Sequence, residues 1–247
     1  MKNYRIHVEE LLDPLLAHGC KVISVTGSGG KTTLIRKAAM HYAKQYHVGV
    51  AASTKMCLPD RQWMYQNCLP AVVSSDRQNE DGKQAAPICF YTSHILPEGK
   101  IWEIDRPMME KALSECGLLL IEADGSKRKP LKGWRNDEPV ILPESEATIG
   151  VLPMHCLNLP VNEDRVHRIE HFMHLTGLKL SDQMTEEAYF RMVTAENGLF
   201  GHSRGMKWLV LNRVNNEQLY QAARNIAERA MAAGVIDGWI AGCLEDD

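Results

Sequence analysis

The sequence has no apolar run near the ~20 residues that a transmembrane helix needs, no Cys-x-x-Cys pair, and no excess of positive charge. Each absence removes a class of function. Without the long apolar run, no membrane partner is expected. The cysteines, at positions 20, 57, 68, 89, 116, 156 and 243, are odd in number and unpaired in spacing, which argues against a zinc ribbon or disulfide framework and for reduced thiols. With 28 basic and 31 acidic residues the net charge is −3, so no global field favours nucleic acid or acidic lipid. The first ten residues carry charges where a secretory signal needs an apolar segment, and a cytoplasmic protein is expected.

What is present is an ordinary globular composition, 45% hydrophobic and 24% charged over 247 residues, enough for one large α/β domain spanning 1–247. Its most specific stretch is Val22-Ile23-Ser24-Val25-Thr26-Gly27-Ser28-Gly29-Gly30-Lys31-Thr32-Thr33. An apolar strand runs into a glycine-rich loop and then a helix. Glycine lets the backbone approach a ligand closely, so that successive N–H groups from Ser28 to Thr32 can face phosphate oxygens. The helix N-terminus adds unsatisfied N–H groups and a positive dipole end. In this reading Gly27, Ser28, Gly29, Gly30, Lys31, Thr32 and Thr33 bind a nucleotide, ATP or GTP. Lys31 reaches the β/γ-phosphates and Thr32 ligates Mg²⁺. The usual spelling would place its first glycine at position 25, which is Val25. The shorter Gly-x-x-Gly-Lys-Thr-Thr resembles the loops of Mur ligases and folylpolyglutamate synthetases more than those of GTPases.

The periodicities around the loop predict a mostly parallel α/β sheet of the P-loop NTPase kind, flanked by helices. Residues 6–18 read as a helical segment interrupted by Pro14. Strand 21–26, helix 32–46 and strand 48–52 form a βαβ unit. The stretch 57–100, rich in Pro, Gln, Asn and Asp, reads as a β-rich edge insertion with pieces at 69–74 and 88–92, an edge hairpin with a mobile loop near 76–86. Alternation resumes with helix 106–116 and the continuous apolar strand 118–121, then strand 147–152, helix 183–197, strand 206–211, helix 218–233 and strand 235–241.

Strand 118–121 runs into Glu122-Ala123-Asp124-Gly125. Acids at the carboxyl edge of a parallel sheet stand where α/β proteins bind ligands. Here they suggest Glu122 as a second Mg²⁺ ligand and Asp124 as the group that orients a nucleophile, with Lys31 the other catalytic candidate. The basic run Ser126-Lys127-Arg128-Lys129-Pro130-Leu131-Lys132 can grip a triphosphate or an acidic second substrate, or be a solvated loop. His167, His171 and His174 fall on one stripe of an expected helix, but no accompanying carboxylate or cysteine completes a zinc site. Asn212-Arg213-Val214-Asn215 is similar to the base-reading motif of GTP-binding proteins without its carboxylate, and marks Asn212 as a nucleotide contact.

Several segments together resemble the YqeC family: 25–33, Ser53-Thr54-Lys55-Met56, 121–127 with Pro130-Leu131-Lys132 and Glu138-Pro139-Val140-Ile141, Val166-His167-Arg168, Gly198-Leu199-Phe200 and Leu211-Asn212-Arg213-Val214. Asp137 and Gly201-His202 depart from the family's pattern. The resemblance implies an accessory protein of selenium-dependent molybdenum hydroxylases, with the hydroxylase or a cofactor precursor as partner. It adds Lys55, His167 and Arg168 to Lys127, Arg128, Lys129 and Lys132 as second-substrate candidates. Three readings stay open: an NTPase that helps make or insert the cofactor, a ligase- or kinase-like enzyme acting on an acidic small molecule, and a nucleotide-gated cofactor chaperone with negligible turnover.

Overall fold

The computed structural model describes residues 4–66, 69–74 and 87–244. Helix α1 (Val8–Ala17) runs unbroken through Pro14, contrary to the interruption expected, because Val8, Leu11, Leu12 and Leu15 bury one face and tertiary packing outweighs one lost backbone bond. Strand β1 (Val22–Gly27) is buried along its whole length. The chain then turns through the glycine loop into α2 (Lys31–Tyr42), which ends a turn earlier than expected. β2 (Val48–Ala52), β3 (Met56–Cys57), β4 (Ala71–Ser74), β5 (Ile88–Thr92), β6 (Ile95–Leu96) and β7 (Lys100–Ile101) follow. Next come α3 (Arg106–Glu115), β8 (Leu118–Glu122), β9 (Leu131–Lys132), β10 (Ala147–Pro153) and β11 (Val166–His167). The chain continues through α4 (Ile169–Thr176), α5 (Glu186–Thr194), β12 (Met206–Asn212), α6 (Glu217–Ala232) and β13 (Gly238–Gly242).

The main sheet has eight strands in the order β13-β12-β10-β1-β8-β2-β5-β4, and every pairing in it is parallel. Successive side chains alternate between its faces. Ile23, Val25, Leu118, Leu120 and Ile149 join α1 and α2 in one core. On the opposite face, Leu209 and Leu211 pack with α5 and α6, and Leu119 and Ile121 pack with α3 residues Met109 and Ala112. Helices thus cover both faces, which is why the central strands read as continuous apolar runs.

The β-rich edge insertion expected within 57–100 forms, with strands at both expected pieces, but those two strands do not pair with each other as a hairpin. β4 and β5 pair in parallel and extend the main sheet beyond β2. The antiparallel pairing belongs to a small separate sheet, β3-β7-β6. Alternation of side chains marks a strand but not its direction, so hairpin and crossover looked alike in sequence. The loop anticipated near 76–86 lies outside the described residues. The last strand begins at Gly238, three residues later than its apolar pattern suggests. Among the described residues no helix is long and apolar enough to cross a membrane.

Candidate functional site

β1 occupies the middle of the sheet, between β10 and β8, so the loop that leaves it emerges at the carboxyl edge beside the acids that end β8. Gly27 has φ 100°, and a Cβ there would stand 2.2 Å from the Val151 carbonyl oxygen. Gly29 has φ 69° and no room for a Cβ beside Pro153. Both positions therefore need glycine, for backbone conformation and for close approach to β10. Ser28 is tied twice, its N–H to the Val151 carbonyl at 2.9 Å and its hydroxyl to the Pro130 carbonyl at 2.7 Å. Gly30 is the N-cap of α2, and its carbonyl accepts from Leu34 at 2.9 Å. Thr33 follows in the first turn, partly buried.

Lys31 is buried and folds back over the loop. Its ammonium donates to the Gly27 carbonyl at 2.7 Å and stands 3.2 Å from Asp124 Oδ1. Asp124 has no exposed surface. It accepts from the Gly27 N–H at 3.0 Å, the Thr26 hydroxyl at 3.2 Å, Lys132 Nζ at 2.9 Å and Trp134 Nε1 at 2.9 Å. Burial alone would raise its pKa, but Lys31 and Lys132 hold it below the usual carboxylate value. Lys31 is also opposed by burial, and its carboxylate neighbours, Asp124 first, more than offset that and raise it. In this arrangement Asp124 fixes the loop and the lysine.

Glu122, partly buried at the end of β8, accepts from the Thr32 hydroxyl at 2.8 Å. Burial pushes its carboxyl up, against the pull of Lys31 and the Thr32 bond. A hydroxyl and a carboxylate at this distance supply hard oxygen donors, and they fit Mg²⁺ better than a softer metal. Among the described residues no group of three or more His, Cys, Asp or Glu is arranged to hold a metal ion.

The basic run is divided by its environment. Lys132 on β9 has no exposed surface. It bridges Asp124 to Glu138 Oε2, 3.4 Å away, and burial lowers its pKa against the pull of those two acids. It is therefore spent inside the protein and is not presented to a second substrate. Lys129 donates to the Glu163 and Val166 carbonyls. Lys127 and Arg128 are exposed, with left-handed φ angles of 50° and 61°. Lys55 is exposed after β2, its ammonium 4.0 Å from the Trp102 ring centre.

His167 lies on β11, paired with Lys132 of β9, and not on the helix expected to carry it with His171 and His174. Only the latter two are on α4, and both are exposed. A two-residue strand leaves no periodicity to read. Arg168, left-handed at φ 55°, pairs with Glu138. The chain Lys31, Asp124, Lys132, Glu138 and Arg168 thus alternates in charge from the loop to the β9-β11 ribbon. Burial, then Arg168, Lys132 and Lys127, lower the His167 pKa to about 4, with Glu138 opposing.

Asn212 ends β12 beneath the loop. Its amide donates to the Gly29 carbonyl at 2.8 Å and its oxygen accepts from the Leu244 N–H at 3.0 Å. Both halves of the amide are committed to backbone, so it braces the loop where sequence suggested a contact to the base. Trp134 and Glu138 carried no expected role. An indole and a carboxylate shortly after the basic run were the available signal that part of that run is internal.

A family profile described as YqeC protein matches residues 23–170, a span that contains the loop, Glu122, Asp124, Lys132, Glu138 and Arg168. A protein of Escherichia coli (strain K12) described as "Uncharacterized protein YqeC" is 33% identical over 162 residues, which are 64% of this chain and 61% of that relative. The chain therefore spans less than two thirds of the relative's length. No solved structure matches. By the extent of the profile match, the chain belongs to the YqeC family.

Proposed function

We propose that the chain binds a Mg²⁺–nucleoside triphosphate, ATP or GTP, in the 27–33 loop, and that its hydrolysis or phosphoryl transfer serves the maturation of a selenium-dependent molybdenum hydroxylase. The observation that carries the nucleotide half is Lys31, a cation held at the mouth of a glycine loop by a wholly buried carboxylate, Asp124. The hydroxylase half rests on the resemblance to the family.

The chemistry follows from the residues. The N–H groups at the start of α2 and the Lys31 ammonium would meet the phosphate oxygens. Lys31 then exchanges the Gly27 carbonyl and Asp124 for phosphate, and Lys132 keeps Asp124 compensated throughout. Asp124 thereby keeps the lysine charged and at the loop until phosphate replaces these two partners. Thr32 and Glu122 would hold the Mg²⁺, which neutralises phosphate charge.

Thermal unfolding with and without Mg²⁺-ATP and Mg²⁺-GTP tests the nucleotide half. A nucleotide at a hundred times its Kd stabilises a protein by about 2.7 kcal/mol, and Lys31→Ala should lose that gain while keeping its fold. Equal stabilisation of both proteins would overturn the reading. For the hydroxylase half, cells lacking the protein should lose selenium-dependent hydroxylase activity and regain it with wild type but not with Lys31→Ala.

A further inference from the structure

Charged groups of alternating sign run from the phosphate loop to the surface, and each inner one is divided between two neighbours. Asp124 meets Lys31 at 3.2 Å through Oδ1 and Lys132 at 2.9 Å through Oδ2. The Lys132 ammonium has three donors, and they go to Asp124, to the Gly125 carbonyl at 2.9 Å and to Glu138 Oε2 at 3.4 Å. The bond to Glu138 is the longest. That same Glu138 oxygen accepts from Arg168, so Lys132 and Arg168 compete for one atom. Lys31, Asp124, Lys132 and Glu138 are each at most 5% exposed, whereas Arg168 is 22% exposed. The β9-β11 ribbon keeps the two competitors side by side, with His167 opposite Lys132 and the Gly133 N–H donating to the His167 carbonyl at 2.9 Å.

We propose that Glu138 and Arg168 are positioning residues for Lys31, which act through Lys132 and Asp124 to set how readily the loop gives up its lysine to a phosphate. This deepens the nucleotide reading and rests on it for the ligand.

Sharing fixes the direction of the effect. Water does not screen these charges in a low-dielectric interior, so a group drawn toward one partner is held less by the other. With Arg168 on Glu138, the acid has a slack hold on Lys132. Lys132 then compensates Asp124, and Asp124 can release Lys31. Without Arg168, Glu138 draws Lys132 toward itself, and Asp124 keeps Lys31. Without the Glu138 charge, Lys132 belongs to Asp124 alone and Lys31 is freer than in the native protein. Trp134 Nε1 donates to Asp124 Oδ2 at 2.9 Å, the oxygen that Lys132 also holds. Its indole proton therefore reports how much of Asp124 the lysine occupies.

The Trp134 indole N–H signal, assigned by its loss in Trp134→Phe, is read by NMR beside Mg²⁺-ATP affinity. Arg168→Gln should move the signal downfield and weaken Mg²⁺-ATP about fivefold, and Glu138→Gln should move it upfield and tighten binding by a similar factor. Arg168→Lys should restore most of both. In the double variant Arg168→Gln should add nothing to Glu138→Gln, because no carboxylate is left for the arginine to occupy. Indole shifts of the same sign in the two single variants would overturn the proposal. So would an Arg168→Gln effect undiminished beside Glu138→Gln, which would make Arg168 a charge felt through space. Where Glu138→Gln does not fold, Arg168→Gln decides alone, and an unmoved indole signal overturns the positioning role. Opposite indole shifts in a protein that neither Mg²⁺-ATP nor Mg²⁺-GTP stabilises would sink the nucleotide reading and support the link from Arg168 to Asp124.

Discussion

Lys31 and Asp124 stand 3.2 Å apart, and neither is more than 5% exposed. Asp124 also meets Lys132 at 2.9 Å, so one buried carboxylate balances two buried ammonium groups with help from Glu138. Removing its charge would strand both cations in a low-dielectric interior. Asp124→Asn should therefore lower folding stability by about 3–5 kcal/mol, measured by urea unfolding. A loss below about 1 kcal/mol would show that water reaches these groups and that Asp124 is not the anchor.

Glu122 meets the Thr32 hydroxyl, not a lysine, and this separates its role from that of Asp124. Glu122→Gln should leave metal-free nucleotide binding nearly unchanged, and should cut the affinity gained on adding Mg²⁺ by about tenfold. Titrations of ATP with Mg²⁺ and with EDTA check this. An equal loss in both would make Glu122 a structural partner of Thr32 alone.

The loop and its flanking elements were legible because their information is local: glycines, a lysine and a hydroxyl in seven residues, bounded by an apolar strand and an amphipathic helix. The partner of the lysine was not. β1 meets β8 only after a long crossover, and nothing near Lys31 in sequence says which downstream acid will face it. Lys132 was read among candidate surface cations because lysine seldom has zero exposure. Its burial follows from the β9-β11 pairing, two residues on each side, too short for any pattern. Asn212 braces a loop 183 positions away, and motif reading made it a base contact because local spelling carries no tertiary partner.

His167 gives stability a defined pH dependence. Its pKa falls from 6.5 in the ordinary state to about 4 in the folded protein, through burial first and then Arg168, Lys132 and Lys127. Below pH ~6.5 the unfolded chain takes up a proton that the native state refuses, so stability is full above that pH and declines toward pH ~4. The loss from this one group is at most about 3.4 kcal/mol, at 1.36 kcal/mol per unit, and solvent screening of the partly open ring brings it below that bound. His167→Gln should flatten that part of the profile in urea unfolding at pH 7, 5.5 and 4.5. Asp124, whose pKa is lowered, contributes stability that is present above its unfolded value of 3.8 and lost as pH falls further. The two windows are thus distinguishable, and an unchanged slope between pH 7 and 4.5 in His167→Gln would exclude the ring as the source of the upper one.

Asn212 separates bracing from base recognition. Its donor side holds the Gly29 carbonyl and its acceptor side holds the Leu244 N–H. Asn212→Asp keeps an acceptor for Leu244 but sets a carboxylate against the Gly29 carbonyl, so the loop loses a bond and gains repulsion, close to where phosphate charge would gather. Mg²⁺-nucleotide affinity should fall at least about tenfold, and stability by about 1–3 kcal/mol. A brace acts on the phosphates common to all nucleotides, so ATP and GTP should weaken by the same factor. If the ratio of their affinities changes in Asn212→Asp while the loop stays ordered, the side chain reads the base after all.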